Sequence, residues 1–143
     1  IGYPIKRDEM FILSRFQTQN PIKDLQPVAN ARQVLEIQEE VKRIKVAEAI
    51  KEYIAEIAAL TREHNDLTLG ASPRGALALM RASQAFAMLD DRDYVIPDDV
   101  QKMVIPVLAH RLILKPEARL KEMTVERVLK SILNTVYVPV IRT

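Results

Sequence analysis

Cysteine is absent from this chain of 143 residues, so neither a disulfide nor a thiolate metal site is open to it. Glycine is almost absent: there are three, at positions 2, 70 and 75. A loop that cradles phosphate on consecutive glycine N–H groups has no material here, and neither a GxGxxG nor a P-loop pattern occurs. No apolar run approaches the ~20 residues of a membrane span, and the first residues show no signal-peptide pattern. The expectation is a cytoplasmic protein with no membrane span. A surplus of one charge is also missing. The 21 Lys and Arg against 19 Asp and Glu leave +2, too little by itself to point to nucleic acid or a membrane surface.

What is present is ordinary for a globular domain: 48% hydrophobic and 28% charged residues in a chain long enough for one real core. Ile1-Gly2-Tyr3-Pro4 opens without methionine and reads as a cut through a longer protein. Asp8 and Glu9 ahead of Ile12, Leu13 and Phe16 predict a helix over 6–19 with acids in its first turn. Asn20-Pro21 and Gln26-Pro27 bracket a loop, which Leu25 and Val28 are expected to hold against the body. From 31 onward Val34, Ile37, Val41 and Ile44 make a helical stripe. A second helix is predicted over 47–63, with Ile50, Ile54, Ile57 and Thr61 on one side and Tyr53 and Leu60 widening it. Residues 64–71 read as a polar loop turning at Asn65-Asp66.

The stretch 70–79 organises the rest. Gly70 allows a sharp turn, Ser72 is a good N-cap, and Pro73 falls at the first helical position. The run from Ala76 to Leu89 is almost wholly apolar, which predicts a helix over 73–91 covered on most faces. Arg74 interrupts that character. A cation in the first turn sits against the positive end of the helix dipole, so an anion nearby, a phosphate above all, would account for it. The alternative is an arginine that points into water or pairs with a surface carboxylate. Arg81, two turns on, shares the face.

Asp90-Asp91-Arg92-Asp93 reads as a charged turn. Pro97-Asp98-Asp99 starts a further helix whose apolar positions are Val100, Met103, Val104, Val107 and Leu108, with a kink or break expected at Pro106. Leu112 to Leu114 is a short strand or buried strut, paired if at all near Val46. The last helix, 125–134, is capped by Thr124 and carries Val125, Val128, Leu129, Ile132, Leu133 and Val136. The fold class is all-α: a bundle of about six helices with at most a minor short strand pair. His64 and His110 lack a second ligand at metal spacing, Asp90, Asp91 and Asp93 lack the glycine and terminal glutamate of a calcium loop, and no nucleophile motif appears. No metal site and no free-standing enzyme are expected.

Gly70-Ala71-Ser72-Pro73-Arg74, Leu77-Ala78-Leu79-Met80-Arg81-Ala82, the run from Arg92 to Val100, and Pro106-Val107-Leu108-Ala109-His110-Arg111-Leu112 together resemble the lid domain of MoxR-type AAA+ ATPases, cousins of the magnesium-chelatase ATPase subunit. The opening is similar too: Gly2-Tyr3-Pro4 resembles the hinge, with the first lid helix after it, and Asn20-Pro21 to Pro27-Val28 resembles the connecting arm. The resemblance implies a hinge, first helix and arm over 1–30 and the helical lid over 31–143. It implies that Arg74 is the sensor 2 arginine, reaching the γ-phosphate of ATP bound with Mg2+ on the preceding core domain. Ser72, Pro73 and Tyr3 are further candidates for nucleotide binding. It also implies a hexamer-like ring of neighbouring subunits, ATP hydrolysis by the full-length protein but not by this chain alone, chaperone-like remodelling or metal-cofactor insertion, and a partner carrying a von Willebrand factor A domain. Two positions depart from the family pattern. Gly75 is often alanine, and Ile96 stands where a capping residue would precede Pro97. The competing readings are a helical nucleic-acid-binding module using Arg74, Arg81, Lys102 and Arg111, against which the small net charge argues, and a structural interaction domain.

Overall fold

The computed structural model describes residues 2–17 and 20–140. The chain separates into two compact units, 1–35 and 36–143.

The first unit begins with helix α1, Lys6–Phe16, in which no residue is buried. Asp8 and Glu9 lie at its positive end and Arg15 at its negative end, as the dipole favours. The Arg15 guanidinium stands 5.6 Å over the Phe11 ring. The sequence predicts this helix to 19; it stops at Phe16, and residues 18 and 19 lie outside the described ones. A single 3-10 turn follows, Pro21–Asp24, whose first N–H groups find the Asn20 side chain: Ile22 N donates to its Oδ1 at 3.1 Å. Leu25 and Val28 do not pin the loop down. Both are exposed, because the turn satisfies its polar groups locally and asks nothing of their side chains. Helix α2, Ala31–Val41, starts on a capping box: Gln33 N donates to Asn30 Oδ1 and Asn30 N to Gln33 Oε1, each at 2.9 Å. The boundary between the units falls within this helix.

The second unit holds the core. Helices α3 (Glu48–Glu63), α4 (Pro73–Leu89), α5 (Pro97–Leu108) and α7 (Val125–Thr135) pack on one another, with the five-residue α6 (Pro116–Leu120) between the last two. The stripes read from the sequence on α3, α5 and α7 go inside, whereas the stripe on α2 does not, since Val34 and Ile37 are exposed. Ile50, Tyr53, Ile54, Ile57 and Thr61 of α3, Val100, Val104 and Leu108 of α5, and Val128, Leu129 and Ile132 of α7 are all buried. Among the described residues there are thus seven α-helices, and the short α6 is the one beyond the expected six or so. The all-α class holds, with one two-stranded sheet.

That sheet pairs β1 (Leu67–Leu69) antiparallel with β2 (Ile113–Leu114), in the register Leu67 opposite Leu114 and Leu69 opposite Ile113. The expected partner of residues 112–114 near Val46 is therefore corrected to a segment that reads as polar loop. Three residues are too few to show a period of two, and only Leu67 faces the core. Lys45 instead bridges Tyr94 in parallel: Lys45 N donates to Asp93 O at 2.8 Å and Val95 N to Lys45 O at 3.0 Å.

Two further expectations change. Helix α5 runs through Pro106 to Leu108 without a break. Helix α4 is not covered on most faces: Leu77 and Leu89 are exposed, and the buried set is Gly75, Leu79, Ser83, Gln84 and Ala87. Its alanines make the sequence look apolar all round while only one side packs. The α4–α5 turn closes on Asp91 at φ 54. Asp91 N donates to Met88 O at 3.1 Å and Arg92 N to Ala87 O at 2.9 Å, the paired bonds of a Schellman ending with aspartate in the left-handed position. Asp99 supplies the half of a capping box that does not need an acceptor at 96. Its Oδ2 accepts from Ile96 N at 2.9 Å, so the helix start at Pro97 is secure without a capping side chain at 96. Asp99 is fully buried, and the Arg92 guanidinium grips both its oxygens at 2.6 and 2.7 Å. These bonds hold Arg92 protonated far above neutral pH.

Candidate functional site

The first turn of α4 is where the sequence places its candidate chemistry. Ser72 is extended and accepts from Gly75 N on its side-chain oxygen at 3.3 Å, and Pro73 occupies the first helical position. Arg74 is exposed. Among the described residues it makes no hydrogen bond, ion pair or ring contact. Its neighbours on the chain are otherwise: Arg81 Nη1 donates to Gln84 Oε1 at 2.9 Å, Arg111 Nε to Val107 O at 2.9 Å, and the Lys102 ammonium lies 4.8 Å over the Phe86 ring. Of the four cations considered for nucleic acid, three are engaged within the fold. Of these four, Arg74 alone presents a full fork of donors with nothing opposite it, in the first turn of a helix.

Position here is fixed from α3. Thr61, fully buried, donates to Ala58 O at 2.6 Å and accepts from Ala71 N at 2.8 Å. Arg62 Nε donates to Ala71 O at 2.7 Å. Gly70 has an ordinary backbone, since no glycine among the described residues has positive φ. Its role is therefore not the sharp turn expected of it. A Cβ at 70 would lie 2.6 Å from the backbone N and Cα of Arg62 and 2.7 Å from Thr61 O, so glycine lets two backbones touch. Gly75 is different: a Cβ there meets Leu108, Ala71 and Arg111 at 3.4 to 3.8 Å, ordinary contact distances. An apolar groove between α3 and α4 adjoins the helix start, walled by Ile54, Ala58, Pro73, Ala76, Leu77 and Met80, with Arg62 among its lining residues.

Of the sequence-predicted site residues, Ser72, Pro73 and Arg74 stand together on this turn and all are exposed. Tyr3 belongs to the first unit, in the extended lead to α1, and is fully exposed. The sequence reading gives Thr61, Arg62 and Ala71 no part in the site. Thr61 appears there only as a member of the apolar stripe, yet a hydroxyl on such a stripe near a helix end is the signal that could have found it. No cluster of His, Cys, Asp or Glu suited to a metal occurs among the described residues. Two acids of the α4–α5 turn pair with cations: Asp90 with Arg92 at 3.2 Å and Asp93 with Lys45 at 2.9 Å. No helix among the described residues is long and apolar enough to cross a membrane.

Comparison with known proteins bears on the same segment. The family model of the AAA lid domain matches residues 59–132, from the end of α3 through α7. The uncharacterized protein YeaC of Bacillus subtilis is 43% identical over 142 residues, 99% of this chain and 44% of that protein. Chaperone MoxR1 of Mycobacterium tuberculosis is 31% identical over 97% of this chain and 39% of its own length. A crystal structure of a candidate ATPase from Cytophaga hutchinsonii superposes with a TM-score of 0.89 at 29% identity, covering 98% of this chain and 45% of that one. The chain thus spans less than half the length of each of these relatives.

Proposed function

Because the chain belongs to the AAA lid domain family, as the lid of a MoxR-type AAA+ protein, we propose that it answers to nucleotide through Arg74 as a sensor 2 arginine. The observation that carries this reading is the unpartnered Arg74 fork on a helix start that α3 holds in place. A terminal phosphate of ATP matches it in charge and in geometry. The fit is to the phosphate only. With no carboxylate cluster among the described residues, Mg2+ falls to the core domain outside this chain, which also holds the rest of the nucleotide. Ser72 and Pro73 shape the turn, and Tyr3 lies on the hinge.

In this reading the lid turns phosphate occupancy into rotation against the core. That requires the Arg74–phosphate contact to differ between open and closed states, because a ligand shifts an equilibrium only by its differential affinity. Neighbouring subunits of a ring supply the second partner. The output is remodelling of a client or insertion of a metal cofactor, through a protein with a von Willebrand factor A domain. The relative named a chaperone supports the remodelling arm.

The test is paired. In the full-length ATPase, Arg74→Ala lowers ATP turnover by about 10²–10³-fold, the cost of removing one well-placed donor to developing charge. Arg74→Lys rescues poorly, since an ammonium cannot present two parallel N–H donors. Thermal unfolding of the 143-residue chain is unchanged in both variants, because Arg74 is exposed and makes no hydrogen bond, ion pair or ring contact among the described residues. A variant that melts early yet leaves turnover intact makes Arg74 a structural residue and ends the assignment.

A further inference from the structure

We propose that Arg62 is a positioning residue for Arg74, an inference that rests on the reading of Arg74 as the phosphate-contacting group. Both polar backbone groups of Ala71, three residues before Arg74, are held by two consecutive residues of α3. Thr61 Oγ1 takes the N–H at 2.8 Å and Arg62 Nε gives to the carbonyl at 2.7 Å. Two bonds to one residue from adjacent side chains, one accepting and one donating, fix its orientation as well as its place. Gly70 brings the backbones within reach of those bonds, and Ser72 carries the fixed direction into the helix by closing its first turn on Gly75. Arg74 is the next side chain but one. Slack at Ala71 is thus passed to the guanidinium, while a fixed Ala71 leaves it only its own rotamers.

The two halves of the clamp differ in what else they do. Thr61 is fully buried and satisfies a core carbonyl. Arg62 is exposed, and its backbone bond is its only hydrogen bond or ion pair among the described residues. Only its Nε–H is used in this geometry, a donor that a neutral amide N–H at the same place also supplies. This separates a positioning role from a direct electrostatic one. Glutamine places its amide nitrogen as many bonds from Cβ as arginine places Nε, so Arg62→Gln keeps the donor and removes the charge. Arg62→Met keeps the length of the side chain and removes the donor.

The experiment measures steady-state ATP turnover of the full-length ATPase in wild type, Arg62→Gln, Arg62→Met, Arg74→Ala and the Arg62→Met/Arg74→Ala double variant, with circular dichroism of each. Arg62→Met stays folded and loses about 10- to 100-fold, the scale of a misplacement near 1 Å, with the loss in kcat rather than in KM. Arg62→Gln keeps wild-type turnover. The double variant is no slower than Arg74→Ala alone, because a residue that acts through another has nothing left to position. Equal losses in Gln and Met overturn the proposal in favour of a direct charge. Additive losses in the double variant overturn it as well, and so does a Met variant that fails to fold. An unimpaired Met variant beside an impaired Arg74→Ala removes Arg62 and leaves the role of Arg74 standing. An unimpaired Arg74→Ala removes both.

Discussion

Gly70 and Gly75 flank the N-cap of α4 and answer to different constraints. At 70 the obstacle to a side chain is the backbone of Thr61 and Arg62, which cannot swing aside. Gly70→Ala is expected to lower stability by about 1–3 kcal/mol, the usual range for overpacking, and to loosen the Ala71 clamp. At 75 the neighbours are side chains at ordinary distance, and a helical glycine gives up conformational entropy. Gly75→Ala is expected to raise stability by roughly 0.5–1 kcal/mol. Thermal unfolding of the two variants side by side checks both signs. The sequence separates these glycines only by place, Gly70 before the helix and Gly75 within it, because spacing carries no information about which one has a neighbour pressed against it. Asp99 makes the same point. Its place after Pro97 marks it as a helix-start acid, and its Oδ2 does accept from Ile96 N. That it is fully buried and gripped by Arg92 depends on a turn whose shape no local pattern encodes.

Elements of ten residues or more were legible, since each repeats its apolar period often enough to stand out. Helix α7 is the clearest: Thr124 accepts from Arg127 N at 3.2 Å, as an N-cap should, and Val128, Leu129 and Ile132 are buried. Leu129→Ala is expected to cost about 2–5 kcal/mol by chemical or thermal denaturation. A loss under about 0.5 kcal/mol would place the side chain outside the core. Of the short elements, β2 reads as a short strand or strut but with the wrong partner, and β1 and α6 do not read at all, for lack of period. Helix α6 has five residues, β1 three and β2 two. They exist because tertiary neighbours satisfy them, as when Lys115 N donates to Asp66 O at 2.8 Å beside the strand pair. The candidate site divides the same way. Ser72, Pro73 and Arg74 follow from cap chemistry, whereas Thr61 and Arg62, ten and nine residues earlier than Ala71, are found only once the chain has folded back.

At the scale of the molecule, α1 exposes Met10, Phe11, Ile12, Leu13 and Phe16, while the second unit encloses a full core. The chain alone is expected to turn over no ATP, for it has no glycine loop to hold phosphates and no carboxylate cluster for Mg2+ among its described residues. Turnover that survives purification and disappears on mutating a residue of this chain would contradict that. The Arg92–Asp99 grip has a mechanical meaning besides its energetic one. It joins the far end of α4 to the head of α5, and both helices pack on α3, so the second unit turns as one stiff body with the Ala71 clamp at one end of α4 and the Arg92 corner at the other. Helix α4 has 17 residues, about 25 Å at 1.5 Å each. A tilt of this whole body by roughly 10° about its Ala71 end would carry the Arg92 corner through about 4 Å, turning a small angular change at one end into a stroke the size of a side chain at the other.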